Sequence, residues 1–174
     1  MWKYKILFSI LLILNLCGFA LAGNVYNYPV NLEEITQHIP TMGNISCEFR
    51  QEKYLQNIAK PIISGGHFEF IENKGVIFHT TYPVNSTVDY TNKNYKQIND
   101  IVKAVATKKY SKLEKDFKFY FDRTATNWTL GMRPKPESEI SNYISSITIN
   151  GDDYIRGIDI VQINGNKTVI WFTK

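Results

Sequence analysis

The feature that most constrains the fold is an alternation of apolar and polar residues that recurs along most of the chain. Phe117, Phe119 and Phe121, for example, alternate with polar neighbours. A period of two predicts strands that bury one face. Asn-Gly pairs between such runs are strong hairpin signals, and they occur at Asn150-Gly151 and Asn164-Gly165. The sequence therefore predicts about nine short strands joined as an antiparallel meander.

Two segments carry the apolar spacing of a helix instead. One spans residues 31–39, where Asn31 is suited to cap the N-terminus, and the other spans residues 98–105. A large antiparallel sheet with one apolar face must bury that face against another element. We therefore expect these helices to cover the sheet, or the sheet to curl on itself. The apolar stripes consist of Leu32 and Ile35 in the first helix and of Ile98, Ile101, Val102 and Val105 in the second.

The N-terminus has the layout of a secretory signal peptide. Lys3 and Lys5 precede an apolar run, and Ala20-Leu21-Ala22 forms a small-residue cleavage signal. The predicted organisation is a signal peptide over 1–22, cleaved after Ala22, and one domain over 23–174. A lipidated Cys17 is the alternative, although Leu16 is large for the position before a lipidated cysteine.

Composition excludes several classes of function. Loss of Lys3 and Lys5 would lower the formal charge from +4 to +2, which is not the balance of a nucleic-acid-binding domain. The chain contains no G-x-S-x-G, H-E-x-x-H, P-loop or G-x-G-x-x-G motif. We therefore expect no enzymatic activity.

A pair of histidines and a single cysteine are the remaining candidates for chemistry. His67 and His79 should lie opposite each other in a hairpin about Asn73-Lys74-Gly75, but a metal site needs a third ligand. Cys47 alternates with polar neighbours and should be buried rather than reactive. We expect no metal and no cofactor.

What stands out is an excess of large apolar side chains at alternating strand positions. These residues predict either a filled core or, on a strongly curved sheet, the lining of an apolar cavity that binds a lipid. They are Phe49, Phe68, Phe70, Phe78, Phe119, Trp128, Leu130, Met132, Ile160 and Trp171.

Several motifs, in this order, resemble the LolA family of carriers for outer-membrane lipoproteins, and a divergent branch of it in particular. Phe49-x-Gln51 resembles the F-x-Q of the family's first long strand, and a Gly-aromatic strand follows at Gly65-Gly66-His67-Phe68. Phe78 occupies the aromatic position of the next strand, which Pro83 closes. The later order of a helix, Asn127-Trp-Thr-Leu130, two prolines and a closing strand pair is also similar.

The resemblance implies a mainly β fold with helices, in which a curved antiparallel sheet forms an incomplete, half-open barrel covered by helices. It implies a monomeric periplasmic carrier that holds lipoprotein acyl chains in the cavity. Its partners would be an inner-membrane release complex and an outer-membrane acceptor of the same fold. The best-known members carry an arginine that bonds to the lid, whereas this chain has Lys74, which lacks the planar fork of arginine.

Two alternatives remain open from the sequence. One is an envelope binding or structural module with a filled core, which would dock a partner at a sheet edge or an aromatic patch. The other is a membrane-tethered acceptor of the same fold, which would require lipidation of Cys17.

Overall fold

The computed structural model describes residues 24–89, 91 and 96–174, with the backbone alone at position 97. The predicted signal peptide and Cys17 lie outside these residues. The strands are β1 Ile45–Tyr54, β2 Ile62–Ile71, β3 Gly75–Tyr82, β4 Ser86–Val88, β5 Phe117–Arg123, β6 Trp128–Pro134, β7 Ile144–Gly151, β8 Ile155–Gln162 and β9 Lys167–Thr173. The helices are α1 Leu32–His38, α2 Lys96–Ala106 and α3 Ser111–Glu114, with 3-10 turns at Val25–Asn27 and Glu139–Asn142.

All nine strands belong to one antiparallel sheet, as the alternation predicts. Their order is β4-β3-β2-β1-β9-β8-β7-β6-β5, so the first and last strands pair in the middle and β4 and β5 are the two edges. The sheet is curved and unclosed, and few helices accompany it. The predicted fold class, mainly β with an incomplete barrel covered by helices, is confirmed.

The connection between the two edges determines where the helices lie. The chain leaves the sheet at β4 and re-enters it at β5, on the opposite edge, so the segment between them must cross the sheet. Helix α2 contacts β3, α3 contacts β5, and their apolar residues join those of the strands in one hydrophobic core. We call the core side of the sheet the inner face. No helix in the described part of the chain has the length and apolarity needed to cross a bilayer.

Residues 24–30, which carry no apolar periodicity in the sequence, are folded onto the sheet. Val25 and Tyr26 lie against Gly131 of β6. This is the outer face of the sheet, since the neighbouring Leu130 and Met132 point into the core. The backbone of residues 28–30 then pairs with the free edge of β5: Val30 N–H donates to Phe119 O at 3.2 Å and Phe121 N–H to Tyr28 O at 3.0 Å. This pairing covers an edge that would otherwise be open to other strands.

Two glycine positions shape the local course of the sheet. The Asn150-Gly151 pair predicts a turn, but both residues belong to β7, since Gly151 pairs with Ile155 of β8. The chain turns just after them, at Asp152 and Asp153. A Cβ at Gly151 would lie 2.5 Å from Trp128, so only glycine fits beneath the indole. At Gly65-Gly66 the β2–β3 register shifts, which marks a bulge in the sheet.

Candidate functional site

Nine of the ten predicted cavity residues lie on the inner face. Seven of them are buried, and Phe78 and Ile160 are half-buried and pack against the same core. Their common orientation follows from register, since Phe68 pairs with Phe78, Leu130 with Ile149 and Ile147 with Ile160. The seven buried residues are Phe49, Phe68, Phe70, Phe119, Trp128, Leu130 and Met132.

The prediction that Trp171 lines the inner face is wrong. Its side chain is 40% exposed, whereas its neighbours Ile170 and Phe172 are buried. Four consecutive apolar residues, Val169 to Phe172, give β9 no clear alternation, so the sequence could not assign its faces. Pairing with β1 decides it, because Phe49 lies opposite Phe172. Phe172 is the inner-face residue that the sequence analysis missed.

Four aromatic rings form a cluster across β1, β2, β3 and β9. The rings of Phe49 and Phe78 meet edge to face at 5.1 Å between centroids. Phe68 lies 4.9 Å from Phe78 and 4.6 Å from Phe172. Edge-to-face and tilted rings add packing energy beyond simple burial. Because Phe78 is half-buried, this cluster extends from the core toward the β4 edge of the sheet.

The predicted lid residues contact this inner face. Ile35, Ile101, Val102 and Val105 are buried in the core, and Leu32 and Ile98 are partly buried against it. Asn31 caps α1 as predicted, accepting a hydrogen bond from Glu34 N–H at 3.0 Å. His38 in the last turn of α1 stacks on Phe121, with 5.9 Å between ring centroids.

Few polar contacts hold α2 against the sheet. The buried side chain of Asn99 accepts a hydrogen bond from Val76 N–H at 3.0 Å, and Lys103 Nζ reaches Asn73 O at 3.5 Å. These two residues bind the helix to the start of β3 and the β2–β3 turn. The apolar spacing of α2 gave no signal for either, since both lie beside the stripe rather than in it.

Helices α1 and α2 also bind each other. Met42 N–H, just after α1, donates to Ala106 O at 2.9 Å, at the end of α2. Lys108 Nζ donates to Thr36 O at 2.9 Å. These two hydrogen bonds connect α1 and the residues after it to the C-terminal end of α2. We refer to α1 and α2 together as the lid.

Lys74 lies in the β2–β3 turn, where the resemblance implies the lid arginine. Its side chain is exposed, and its ammonium makes no hydrogen bond to the described residues. The contact between lid and turn comes instead from Lys103 of α2, whose Nζ lies 3.5 Å from Asn73 O.

The interior contains little polar chemistry. Asn99 and Ser138 are the buried polar residues of the described part, apart from tyrosines and Cys47. Burial raises the pKa of the Cys47 thiol, so the predicted inert, buried cysteine fits the structure. Burial also raises the pKa of Tyr110. The Tyr154 hydroxyl is buried and finds no partner among the described residues.

The histidine pair lies on the outer face. His67 and His79 are directly opposite each other, as the predicted hairpin requires. His67 is within hydrogen-bonding distance of Ser46 and Glu48, and His79 of Thr87. In the described residues, no group of three histidines, cysteines and carboxylates is arranged to hold a metal ion.

Two open clefts lie outside the aromatic cluster. One of about 410 Å³ is bordered by residues 27–30, Glu34 and residues 121–123. A second, of about 320 Å³, is bordered by residues 44–46 and 69–71. Phe70 is the only predicted cavity residue that borders either cleft. The other inner-face residues pack against one another and against the lid.

The comparisons with known proteins give a match among solved structures and none by sequence. No model of a protein family matches the sequence, and no curated protein matches it. Among solved structures, the chain is similar to the crystal structure of a LolA superfamily protein, NE2245, from Nitrosomonas europaea. The identity is 8%, the TM-score is 0.37, and the match covers 83% of this chain and 92% of that one. At this level the match assigns neither a family nor a function, so the motif resemblance stays a prediction.

Proposed function

We propose that the protein is a carrier that holds an acyl chain between the inner face of the sheet and the lid. The observation that carries the proposal is the unclosed sheet. Its edge strands β4 and β5 do not pair, and the lid crosses the inner face between them. Space for a ligand can therefore open by movement of the lid, without breaking any pair of strands.

The free energies of burial are consistent with a ligand that replaces the lid on the inner face. Six apolar lid side chains, at roughly 1.5–3 kcal/mol each when fully buried, contribute up to about 9–18 kcal/mol. A sixteen-carbon chain at about 0.8 kcal/mol per CH₂ contributes about 12 kcal/mol before ordering costs. Because the two quantities are similar, an acyl chain could replace the lid without binding so tightly that it cannot leave.

The cargo and the route are part of the same proposal. The predicted export signal over residues 1–22 and the LolA-like motifs suggest lipoprotein acyl chains, carried through the periplasm from an inner-membrane release complex to an outer-membrane acceptor. The scarcity of buried polar residues on the inner face favours a hydrocarbon ligand over a sugar or a nucleotide.

A second function is favoured by the packing of the core. Since the inner-face residues already pack against one another and the lid, the protein could be an envelope binding module with a permanently filled core. In that case the lid would be an ordinary part of the core and would not open.

Two measurements test the carrier. Mass spectrometry of the protein purified from its native host should find a lipid or lipoprotein bound to it. Titration with a fluorescent fatty-acid analogue should give saturable binding to the delipidated protein. Absence of both would contradict the carrier and favour the filled-core module.

A further inference from the structure

Exposed apolar side chains are concentrated at one end of the sheet. Six large apolar residues of the described part are at least half exposed, from 50% for Ile62 to 71% for Val84 and Tyr143. We name them the apolar rim: Ile58, Ile62, Tyr82, Val84, Tyr143 and Ile163.

Strand pairing shows that all six lie at the same end. Lys53, near the end of β1, pairs with Ile62 at the start of β2, and Gly65 pairs with Tyr82 at the end of β3. On the other side of β1, Tyr54 pairs with Lys167 at the start of β9. The start of β7 pairs with the end of β8, since Ile144 lies opposite Gln162.

Hydrogen bonds between loops hold much of this rim together. Ile163 N–H, in the β8–β9 turn, donates to Tyr143 O at 3.0 Å. Gln56 N–H, in the β1–β2 loop, donates to Asn166 Oδ1 at 3.0 Å. The loops that carry Ile58, Tyr143 and Ile163 therefore form one connected surface.

The positive charges of the rim are concentrated around the β1–β2 loop and the β8–β9 turn. Segments 53–62, 82–86 and 162–167 contain three lysines and no aspartate or glutamate, whereas the loop before Tyr143 carries the exposed Glu137 and Glu139. The nearby Glu52 binds Arg50, and Lys167 binds Asp159 at 2.7 Å. At the opposite end, residues 72–74 and 152–154 contain three carboxylates and one lysine, but Asp152 is paired with Arg156, and Arg123 and Lys174 are also exposed at that end. No large apolar residue of these two turns is half exposed.

We propose that the apolar rim is a docking surface for a lipid bilayer with anionic headgroups. Aliphatic loop tips can enter the boundary of headgroups and acyl chains, and tyrosine rings favour that interface. Lys53 and Lys60 are exposed beside the aliphatic residues, where they can contact anionic headgroups. Lysines beside aliphatic loop tips fit such a surface, whereas the turns at the opposite end have no half-exposed apolar residue that could enter it. This proposal goes beyond the carrier, since docking does not require the interior to accept a chain.

Sedimentation with vesicles tests the rim. The protein, with the N-terminus that it carries in cells, is mixed with vesicles of phosphatidylcholine containing some phosphatidylglycerol, or of phosphatidylcholine alone. The double variant Ile58→Ser with Ile163→Ser should bind the anionic vesicles at least about tenfold less than the parent. Trp171→Ser removes an exposed apolar residue from the outer face and is the matched control, which should bind as the parent does.

The lysines are tested in the same way. Lys60→Gln should weaken binding about fivefold on anionic vesicles, and Lys74→Gln, at the opposite end, should not. The proposal is overturned if the parent binds neither kind of vesicle, if the double variant binds as well as the parent, or if Lys74→Gln weakens binding as much as Lys60→Gln. Titration of the same variants with the fatty-acid analogue separates docking from carrying, since rim variants should keep their affinity for it.

Discussion

Two segments cover this sheet, and they are held in different ways. Residues 25–30 cover the outer face and the edge of β5 through directional hydrogen bonds: Val30 and Phe121 N–H to backbone carbonyls, and the Tyr26 hydroxyl to Ile147 O at 3.1 Å. The lid covers the inner face mainly through apolar side chains. Hydrogen bonds fix a register, whereas apolar contact is non-directional and can be replaced by another apolar surface. The outer segment is therefore suited to stay in place, and the lid is suited to exchange with a ligand.

The largest effect is expected from a charge placed beneath each of the two covering segments. Val105→Asp puts a carboxylate under the lid, and Val25→Asp puts one under the outer segment, at a residue that is also buried. An unpaired buried charge costs about 3–5 kcal/mol, so each covering should detach or destabilise the fold. Val105→Asp should expose the inner face and bind a hydrophobic fluorescent dye more strongly, and Val25→Asp should not. Equal dye binding by both variants would contradict a difference between the coverings.

A milder change loosens the lid alone. Asn99→Ala leaves Val76 N–H buried without its acceptor, which costs about 1–3 kcal/mol. If the lid must open before a ligand binds, apparent affinity for the fatty-acid analogue should rise by up to about 5- to 150-fold. Urea unfolding and dye titration measure the two quantities.

Ser138→Ala is the control for Asn99→Ala. It removes another buried polar side chain, whose hydroxyl donates to Asp116 Oδ1 at 2.9 Å. It should lower stability similarly without raising affinity for the analogue. A filled-core module predicts instead that neither variant gains affinity.

A pair of tyrosines tests the two faces with the smallest change in shape. Tyr26→Phe removes hydroxyl contacts to Ile147 O and Thr148 Oγ1 and should cost about 0.5–1.5 kcal/mol. Tyr154→Phe removes a buried hydroxyl with no partner in the described part, so stability should stay the same or rise. Chemical denaturation measures the free energy of unfolding of both variants. A loss of stability in Tyr154→Phe would show that its hydroxyl makes a hydrogen bond in solution.

The smallest expected effect is on acid stability. A hydrogen bond from Arg156 lowers the pKa of Asp152, so this carboxylate adds stability above its ordinary pKa that is lost as pH falls through the lowered value. Asp152→Asn should remove that part of the acid dependence and leave affinity for the fatty-acid analogue unchanged near neutral pH. An altered affinity at neutral pH would place Asp152 in the binding mechanism.

Much of the fold could be predicted from the sequence, because alternation and turn residues act locally. The nine strands and both lid helices follow from patterns such as Phe117, Phe119 and Phe121, and the cap at Asn31 needs only its own neighbours. Residues 25–30 escaped prediction because they have no apolar period, and their hydrogen-bond partners lie about 90 residues away in β5.

The site was predictable in its residue types and less so in its details. Trp171 was assigned to the wrong face because four apolar residues in a row hide the alternation, which the pairing of Phe49 with Phe172 resolves. Asn99 and Lys103 were missed because a polar side chain beside an apolar stripe carries no sign of the distant backbone group that it contacts. Whether the inner face opens depends on the free-energy difference between the closed and the open lid, which no single residue pattern encodes.

Hydrogen exchange with and without a bound acyl chain tests the central claim most directly. The delipidated protein is compared with protein saturated with a sixteen-carbon fatty-acid analogue, and protection is followed by mass spectrometry of peptides. A carrier predicts that protection changes in the lid and around Met42 and Lys108, which join its two helices, while residues 25–30 and their partners in β5 stay unchanged. No saturable binding, or binding that leaves the lid's exchange rates unaltered, would contradict the proposal that the lid and the ligand compete for the inner face.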